Sequence, residues 1–198
     1  MRVWLPLAPL VLLLGGPAWG QATADEAPGD TLAGPEALQG HRFEHPRLTL
    51  RLTPRTPQQV AAFYEARGFP PAMVDALKAR CFITVGVRNK SDDILWLALD
   101  NWRFTSTDGA VRRYDRAYWR TRWDELDAPM PAQSTFRWTL MPETHDFLPG
   151  EAEGGNVVLA RSAAAMSLQA TFVAGKEQDG ERIAVRIDDI RCAEDPNP

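Results

Sequence analysis

The residue types best suited to recognising another molecule are concentrated in one segment, RRYDRAYWRTRWDELDAP, at residues 112–129. Arginine and tryptophan are enriched among the residues that dominate binding energy at interfaces, and arginine can hold a carboxylate or a phosphate with two parallel hydrogen bonds. The arginines at the start of the segment have no obvious acidic partner along the chain except Asp115. We therefore predict a binding surface that comprises Arg112, Arg113, Arg116, Trp119 and Trp123.

The same segment also fits a purely structural role. Asp115 can cap a helix that runs to about Leu126, and Trp119 and Trp123 would then share one face of that helix. An aromatic stripe at this spacing usually packs into a core, while arginines and acids three or four positions apart pair in solvent. The sequence leaves the choice between surface and core open.

Two other sets of side chains have chemistry that suits a metal ion. Met130, Met141 and His145 offer two thioethers and an imidazole, which suit copper(I) in an exported protein. Methionines also fill irregular cores, and that structural role competes with a copper site. His41 and His45 are spaced as neighbours on a helix face, but they precede a predicted strand, and zinc would need further ligands. We predict no resident cofactor and keep copper as an alternative.

No familiar catalytic pattern occurs in the chain. The glycine-rich nucleotide-binding loops, the serine-nucleophile turn and the HExxH zinc motif are missing from the sequence. Asp188 and Asp189 are adjacent, and adjacent strand residues point to opposite faces, so these carboxylates would not converge. The apolar alternation shifts phase at this pair, which predicts a β-bulge. We expect a protein that is not an enzyme, and keep a glycan-acting enzyme with an Asp/Glu pair as an alternative.

The start of the chain is typical of an exported protein. Arg2, an apolar stretch from Val3 to Leu14 and the small residues before Gln21 follow the order of a secretory signal peptide, which we place at residues 1–20. The apolar stretch is shorter than the about twenty residues that cross a bilayer, and no later segment is apolar enough. We therefore predict no transmembrane segment in the mature chain, and a periplasmic or secreted location.

Charge and cysteine content restrict the partners further. The chain carries 22 basic and 26 acidic residues, a formal net charge of −4, and so lacks the basic character typical of nucleic-acid-binding proteins. The two cysteines, Cys81 and Cys192, are expected to form a disulfide in an oxidising compartment. A redox or metal role is disfavoured, since neither cysteine belongs to a CxxC motif or has a neighbouring histidine.

The first part of the mature chain changes from a leader to structured segments. Residues 21–44 are small, polar and rich in Pro and Gly, which predicts a flexible leader. Alternating leucines then predict a strand at residues 46–54. Thr56 and Pro57 begin a first helix and a proline pair begins a second, so residues 45–80 are a strand plus a helical hairpin. Such a hairpin must pack on the rest of the chain to bury its apolar face.

The second half of the chain has an apolar period of two, which is typical of β-strands. Turn signals about every ten residues predict a β-sandwich of about seven or eight strands over residues 81–192. The segment STFRWTLMP predicts one of these strands, with Phe136, Trp138 and Leu140 on one face. Residues 193–198 are predicted to form a disordered tail.

Turn patterns connect this region to a known group of domains. The segments ITVGVRNKSDDILWLALDNWRFTSTDG, LPGEAEGG and SLQATF resemble bacterial extracytoplasmic immunoglobulin-like accessory domains over about residues 81–190. That group repeats a strand, an N-x-S turn, a second strand, a D-G turn, and a P-G-E turn before another strand. The resemblance implies an immunoglobulin-like fold and a non-catalytic role in interaction or envelope assembly. The helical hairpin and the inserted segment 112–129 depart from the pattern, so we expect any specific function there.

Together these observations predict a mostly β protein. The predicted fold is an immunoglobulin-like antiparallel β-sandwich with an N-terminal helical hairpin and one short inserted helix. The predicted function is that of an exported, non-enzymatic binding or assembly module of the bacterial cell envelope, with a protein partner there. The alternatives are a periplasmic copper or small-ligand carrier and a glycan-acting enzyme.

Overall fold

The computed structural model describes residues 40–196 of the 198-residue chain. The predicted signal peptide, most of the predicted leader and the last two residues of the predicted tail lie outside this range. Within it the chain forms ten strands and four α-helices. In chain order these are β1 (His41–His45), β2 (Leu48–Arg55), α1 (Pro57–Glu65), α2 (Pro71–Lys78), β3 (Cys81–Asn89), β4 (Leu95–Ala98), β5 (Arg103–Ser106), β6 (Gly109–Val111), α3 (Arg116–Glu125), α4 (Met130–Thr139), β7 (Thr144–Phe147), β8 (Ala152–Leu159), β9 (Met166–Ala174) and β10 (Arg182–Ile190).

The strands form two antiparallel sheets. The first sheet has the order β1-β2-β3-β8. The second has the order β6-β5-β9-β4-β7, and β10 pairs with β9 as well. The predicted D-G turn is confirmed, since Ser106 pairs with Gly109 across the β5–β6 turn and Gly109 has a φ of 109°. Glycine suits that position because it adopts positive φ without steric cost.

The inner faces of the two sheets share one core, which we call the sheet core. Alternation places Leu50 of β2 and Val85 of β3 inward from the first sheet. Leu97, Leu168 and Phe172 face them from the second sheet. All five side chains are buried, so the predicted period of two is confirmed at these strands.

The predicted disulfide between Cys81 and Cys192 is confirmed. Cys81 begins β3 in the first sheet, and Cys192 follows β10 in the second. Their Cα atoms are 5.3 Å apart although 111 positions separate them in sequence. Both cysteines are buried in the sheet core, so the bond joins the two sheets covalently from within.

The four helices pack on one end of the outer face of the first sheet. Phe82 of β3 and Val158 of β8 are paired across that face and lie in a second apolar cluster, which we call the helix core. The helix core comprises Val60, Ala61, Tyr64, Phe69, Met73, Val74, Leu77, Phe82, Trp119, Trp123, Ala128, Phe136, Leu140 and Val158.

No helix among residues 40–196 is long and apolar enough to cross a membrane.

Helix α1 begins with a capping box. The Thr56 hydroxyl accepts a hydrogen bond from the Gln59 backbone N–H, and the Gln59 side chain accepts one from the Thr56 backbone N–H, each at 3.2 Å. Pro57 occupies the first helical position, as predicted. Gly68 has a φ of 73° after the helix ends, which suits a residue without a side chain.

The predicted strand through Phe136, Trp138 and Leu140 is wrong, because residues 130–139 form helix α4. The helical period of 3.6 places Phe136 and Leu140 on one side, and both are buried. Trp138 lies on the opposite side and is 80% exposed. The region therefore inserts two helices, α3 and α4, where the sequence predicted one.

Several predicted boundaries also shift. The chain enters the first sheet at His41, before the predicted end of the leader, because β1 pairs with β2 through His45. At the other end Ala193 is buried and Asp195 accepts a hydrogen bond from the Gln58 backbone N–H at 2.8 Å. The predicted tail is therefore attached to the fold through Asp195.

The predicted bulge at the Asp188–Asp189 pair is confirmed. The pairing of β10 with β9 shifts register between Ile187 and Ile190, and Asp189 has a φ of 59°. The bulge lets Ile187 and Ile190 both reach the sheet core although they are three positions apart.

Candidate binding site

Helix α3 begins where the sequence indicates. The Asp115 carboxylate accepts a hydrogen bond from the Tyr118 backbone N–H at 2.8 Å, so Asp115 is the N-cap. Four-residue spacing then places Trp119 and Trp123 on the inward face, and each is only 2% exposed. Most of both side chains therefore belongs to the helix core.

Helix α4 follows α3 after a tight connection. Asp127 adopts a φ of 46°, and the Ala128 backbone N–H donates to the Trp123 carbonyl at 3.0 Å. Pro131 stands in the first turn of α4, where its missing N–H leaves no helical hydrogen bond unmade. The helix then turns Phe136 toward the tryptophans of α3.

Trp119, Trp123 and Phe136 form an aromatic cluster between the two helices. The tryptophan rings are stacked with centroids 4.9 Å apart. Phe136 meets them edge-on, with centroid distances of 5.0 and 5.2 Å. Stacked and edge-to-face ring contacts at these distances stabilise a protein beyond the contribution of the buried area, so these contacts hold the cluster in place.

A groove of about 540 Å³ lies between α3 and α4 at this cluster, and we call it the α3–α4 groove. Its volume falls in the range of about 300–1,000 Å³ that is typical of small-molecule pockets. Apolar lining comes from the three rings together with Met130 and Leu140. The polar residues of the lining are Arg116, Arg120, Asp124, Gln133, Ser134 and Arg137.

The described part of the chain does not neutralise the arginines of the groove. Within residues 40–196, Arg116, Arg120 and Arg137 form no ion pair with any carboxylate. Asp124 is the one acidic residue in the lining, and it forms no ion pair with Arg120, which lies four positions before it. The groove therefore combines an apolar base with an excess of positive charge.

Three N–H groups of the lining residues are enclosed without an acceptor. They are the indole Nε1 of Trp119, the indole Nε1 of Trp123 and the guanidinium Nε of Arg116, none of which has a hydrogen-bond partner in the described part of the chain. Buried donors are ordinarily paired, because an unpaired one costs about 1–3 kcal/mol.

The other two predicted binding residues lie outside the groove lining. The Arg112 guanidinium stands 5.0 Å from the Tyr114 ring centre and 5.1 Å from that of Tyr118. Arg113 pairs with Glu143 at 2.8 Å, and its side chain is only 17% exposed. The structure thus brings Arg116, Trp119 and Trp123 together, while Arg112 and Arg113 make contacts within the fold.

Sequence reasoning missed the contribution of α4 to the groove. Arg137 was not connected with the tryptophans because residues 134–142 were predicted as a strand, and Met130 was considered only as a possible copper ligand. Two local signals indicate the helix: Pro131 stands at a helix start, and Phe136 and Leu140 are spaced four apart. Those signals competed with an equally regular alternation of period two.

The copper candidates occupy three different environments. Met130 is 72% exposed at the start of α4, whereas Met141 is 1% exposed in the sheet core. His145 lies on β7, where its Nε2 is 3.2 Å from a Glu151 carboxylate oxygen. The structure gives no shared surface on which these three groups meet.

The remaining metal and acid candidates are also separate. His41 and His45 lie on β1, and the His45 Nδ1 accepts a hydrogen bond from the Arg47 backbone N–H at 3.3 Å. Asp188 pairs with Arg186 at 2.9 Å. Among residues 40–196 no group of three or more His, Cys, Asp or Glu side chains is placed to hold a metal ion.

Comparison with known proteins identifies no family. No family model matches the chain, and no curated protein matches it. Among solved structures, ycdA of Bacillus subtilis is 10% identical with a TM-score of 0.40, covering 75% of this chain and 38% of its own. The yjhA protein of Bacillus subtilis is 9% identical with a TM-score of 0.38, covering 66% of this chain and 76% of its own. A conserved hypothetical protein from Bacillus anthracis is 14% identical with a TM-score of 0.33, covering 76% and 92%.

This chain spans little more than a third of the length of ycdA. All three likenesses are too low to support an argument about function, which therefore rests on the residues of the chain itself.

Proposed function

We propose that the protein is an exported, non-enzymatic binding module of the cell envelope, in which the α3–α4 groove receives an acidic, partly apolar segment of a partner protein. The observation that carries this proposal is the combination of a buried aromatic base with Arg116, Arg120 and Arg137, which have no ion pair in the described residues. Arginine and tryptophan together are the residue types that most often dominate binding energy at protein interfaces.

The chemistry of the groove defines the occupant. Each guanidinium can hold a carboxylate through two parallel hydrogen bonds, while the rings and Met130 offer apolar contact. The formal charge of the whole chain is −4, so the groove is a local reversal of the overall charge. Such a reversal favours an acidic segment at this place over the rest of the surface.

Export and fold class are part of the same proposal. The buried Cys81–Cys192 disulfide is typical of an oxidising compartment, in agreement with the signal peptide that the sequence predicts. The two antiparallel sheets with their shared core support an immunoglobulin-like sandwich. In that fold α1 and α2 are the N-terminal helical hairpin, and α3 and α4 are an insertion that provides the binding site.

Site-specific photo-cross-linking tests the proposal. A photoreactive residue replaces Ser134 in the groove lining, and the protein is irradiated in its native envelope before the adduct is identified by mass spectrometry. The same experiment uses Arg120→Gln/Arg137→Gln as the groove variant. The matched control is Arg182→Gln/Arg191→Gln, which also removes two exposed arginines but from β10 and the segment after it.

We expect one dominant adduct whose cross-linked peptide contains acidic and apolar residues. Its yield should fall roughly tenfold or more in the groove variant, since each charge-assisted hydrogen bond is worth about 1.5–3 kcal/mol. The control variant should retain the wild-type yield. Equal yields from the two variants, or an adduct peptide without acidic residues, would contradict the proposed role of the groove.

A small-ligand carrier is the second candidate, and the groove volume of about 540 Å³ favours it. Native mass spectrometry of the protein purified from the envelope distinguishes the two. A mass increase of a few hundred daltons that the groove variant loses would identify a carrier, and its absence together with a protein adduct would identify a binding module.

A further inference from the structure

The outer face of the first sheet is only partly covered by the helices. Phe82 and Val158 lie under the helix core at one end of that face. At the other end a surface trough of about 650 Å³ is open, with Arg51, Arg88 and Glu153 among its lining. This trough shares no lining residue with the α3–α4 groove, so it is a separate site.

The floor of the trough is made by a row of residues that crosses all four strands. Arg42 pairs with Arg51, Arg51 with Gly86, and Gly86 with Gly154. A Cβ atom built on Gly86 would meet no other atom within 4 Å, so the space above the strand there is empty. Glycine is uncommon within strands because it packs nothing, and it often marks a place where another molecule approaches the backbone.

Arg51 and Arg88 border this floor, and neither side chain has a hydrogen-bonding or ionic partner within residues 40–196. Both side chains are exposed. The strand register makes them diagonal neighbours, since Arg51 pairs with Gly86 while Arg88 pairs with Thr49. Diagonal positions on a sheet are about 7–8 Å apart, so the two guanidinium groups can reach neighbouring groups of one ligand.

The register also sets like charges against each other. Arg42 and Arg51 are directly opposite on β1 and β2, and such a pair destabilises a sheet. The Glu44 carboxylate offsets the charge of Arg42 but not that of Arg51, because it pairs with Arg42 and with Lys90. Within residues 40–196, the positive charge of Arg51 and Arg88 in the trough is therefore not neutralised.

We propose that this trough binds a ligand with closely spaced phosphate groups, held by Arg51 and Arg88 over the gap at Gly86. Phosphate fits because it carries more charge than a carboxylate and matches the arginine fork through two hydrogen bonds. The Thr49 hydroxyl and the Lys90 ammonium also border the trough, but both already donate to the Glu44 carboxylate, so Arg51 and Arg88 are the groups left for the phosphates. The phosphates could belong to a soluble polyphosphate or to an anionic lipid headgroup, which share the same chemistry.

Calorimetric titration with inorganic tripolyphosphate tests the proposal on the full mature chain. Arg51→Gln/Arg88→Gln removes the two unpaired charges, and Arg182→Gln/Arg191→Gln is the matched control with the same change in net charge. Gly86→Val keeps every charge but fills the floor with a residue that strands favour.

The expected result is measurable binding by wild type and by the control variant. Affinity should fall roughly tenfold or more in Arg51→Gln/Arg88→Gln and by a similar factor in Gly86→Val. Amide NMR signals of Gly86 and Gly154 should shift on addition of tripolyphosphate, while those of α3 and α4 stay unchanged. Titration with vesicles of phosphatidylglycerol then identifies the source of the phosphate, since only a headgroup site binds vesicles in an Arg51- and Arg88-dependent way.

Three results would overturn the proposal. Wild type could fail to bind tripolyphosphate, or the control could lose as much affinity as Arg51→Gln/Arg88→Gln, which would mean that only net charge matters. Unchanged affinity in a folded Gly86→Val variant would show that the trough has no part in binding. If that variant does not fold, the arginine pair and the NMR map still decide the question.

Discussion

The sheet core and the helix core differ in the side chains that form them and in how closed they are. The sheet core is mainly aliphatic, is closed between two sheets and contains the disulfide. The helix core is rich in aromatic rings and borders an open groove, whose Arg116, Arg120 and Arg137 have no ion pair within residues 40–196. The first is closed between two sheets, whereas the second borders a charged surface that is open to other molecules.

That difference indicates separate roles: the sheet core stabilises the fold, and the helix core supports the proposed binding site. Charge without a counter-charge costs stability, and proteins retain such features mostly where a function requires them. Every such feature of the α3–α4 groove lies on the helix core side of the first sheet. The sheet core is expected to supply the stability that tolerates this cost.

Removal of the disulfide should have the largest effect on this division. In Cys81→Ala/Cys192→Ala the free energy of unfolding should fall by about 4–5 kcal/mol, because the bond closes a loop of about a hundred residues in the unfolded chain. Urea denaturation with and without the substitutions measures the loss. Reductant should destabilise wild type but not the variant, and a loss below about 1 kcal/mol would show that the bond is not a main support.

Truncation of one ring in each core compares them directly. Phe172→Ala in the sheet core should cost about 3–5 kcal/mol, since the space between two sheets cannot collapse. Phe136→Ala should cost less, because its neighbours border an open groove and can relax into the space. Thermal and urea unfolding of both variants provide the comparison, and an equal or larger cost for Phe136→Ala would contradict it.

The close contact between β8 and the residues after α4 requires glycine at position 155. A Cβ atom on Gly155 of β8 would lie 2.4 Å from the Met141 backbone nitrogen, where the chain leaves α4. Gly155→Ala should therefore destabilise the protein by about 1–3 kcal/mol. The control Gly86→Ala adds the same methyl group to open space and should change stability by no more than about 0.5 kcal/mol. Similar losses in the two variants would show that crowding at Met141 is not the cause.

Tyr64 makes the helix core sensitive to alkaline pH. Burial raises the pKa of Tyr64 to about 12, from 10.0, and its hydroxyl lies 2.7 Å from that of Thr139. Because the unfolded chain loses this proton first, stability that is complete below pH 10 should decrease as the pH rises toward 12. The decrease should be smaller in Tyr64→Phe. Urea denaturation at several alkaline pH values measures it, and identical profiles for the two proteins would refute the assignment.

Glu44 gives the first sheet a weaker response to acid. Hydrogen bonds from Lys90 and Thr49 lower the pKa of Glu44 to about 2, from 4.5. A lowered pKa means that this carboxylate stabilises the folded state above pH 4.5, and that this stabilisation is lost as the pH falls toward 2. NMR titration of the Glu44 side chain should give a midpoint well below that of the same residue in Lys90→Gln. Equal midpoints would exclude Lys90 as the cause.

The two cores also differ in how far the sequence predicts them. The leucines of β2 and the alternation of β9 predicted their strands, and the Asp188–Asp189 bulge was visible as a phase shift. Helix α4 was missed because Phe136, Trp138 and Leu140 fit a period of two as well as Phe136 and Leu140 fit a helical turn. The exposure of Trp138 in the structure decides for the helix, because a strand would have placed it on the same face as Phe136 and Leu140.

By itself the sequence determined the features that depend on neighbours along the chain. The Asp115 cap, the D-G turn before β6 and the pairing of the only two cysteines of the chain required no knowledge of distant contacts. Local hydrogen bonds and apolar period decide such features, so they can be predicted residue by residue.

The tertiary structure decided which side chains meet. It stacked Trp119 on Trp123 with Phe136 edge-on to both, and it paired Arg113 with Glu143. Within residues 40–196 it left Arg116 and Arg137 without an ion pair beside the same groove. It also set Arg51 beside the gap at Gly86 on the opposite end of the first sheet. Sequence spacing could not determine these pairings, because each depends on strand register and helix packing between residues that are far apart in the chain.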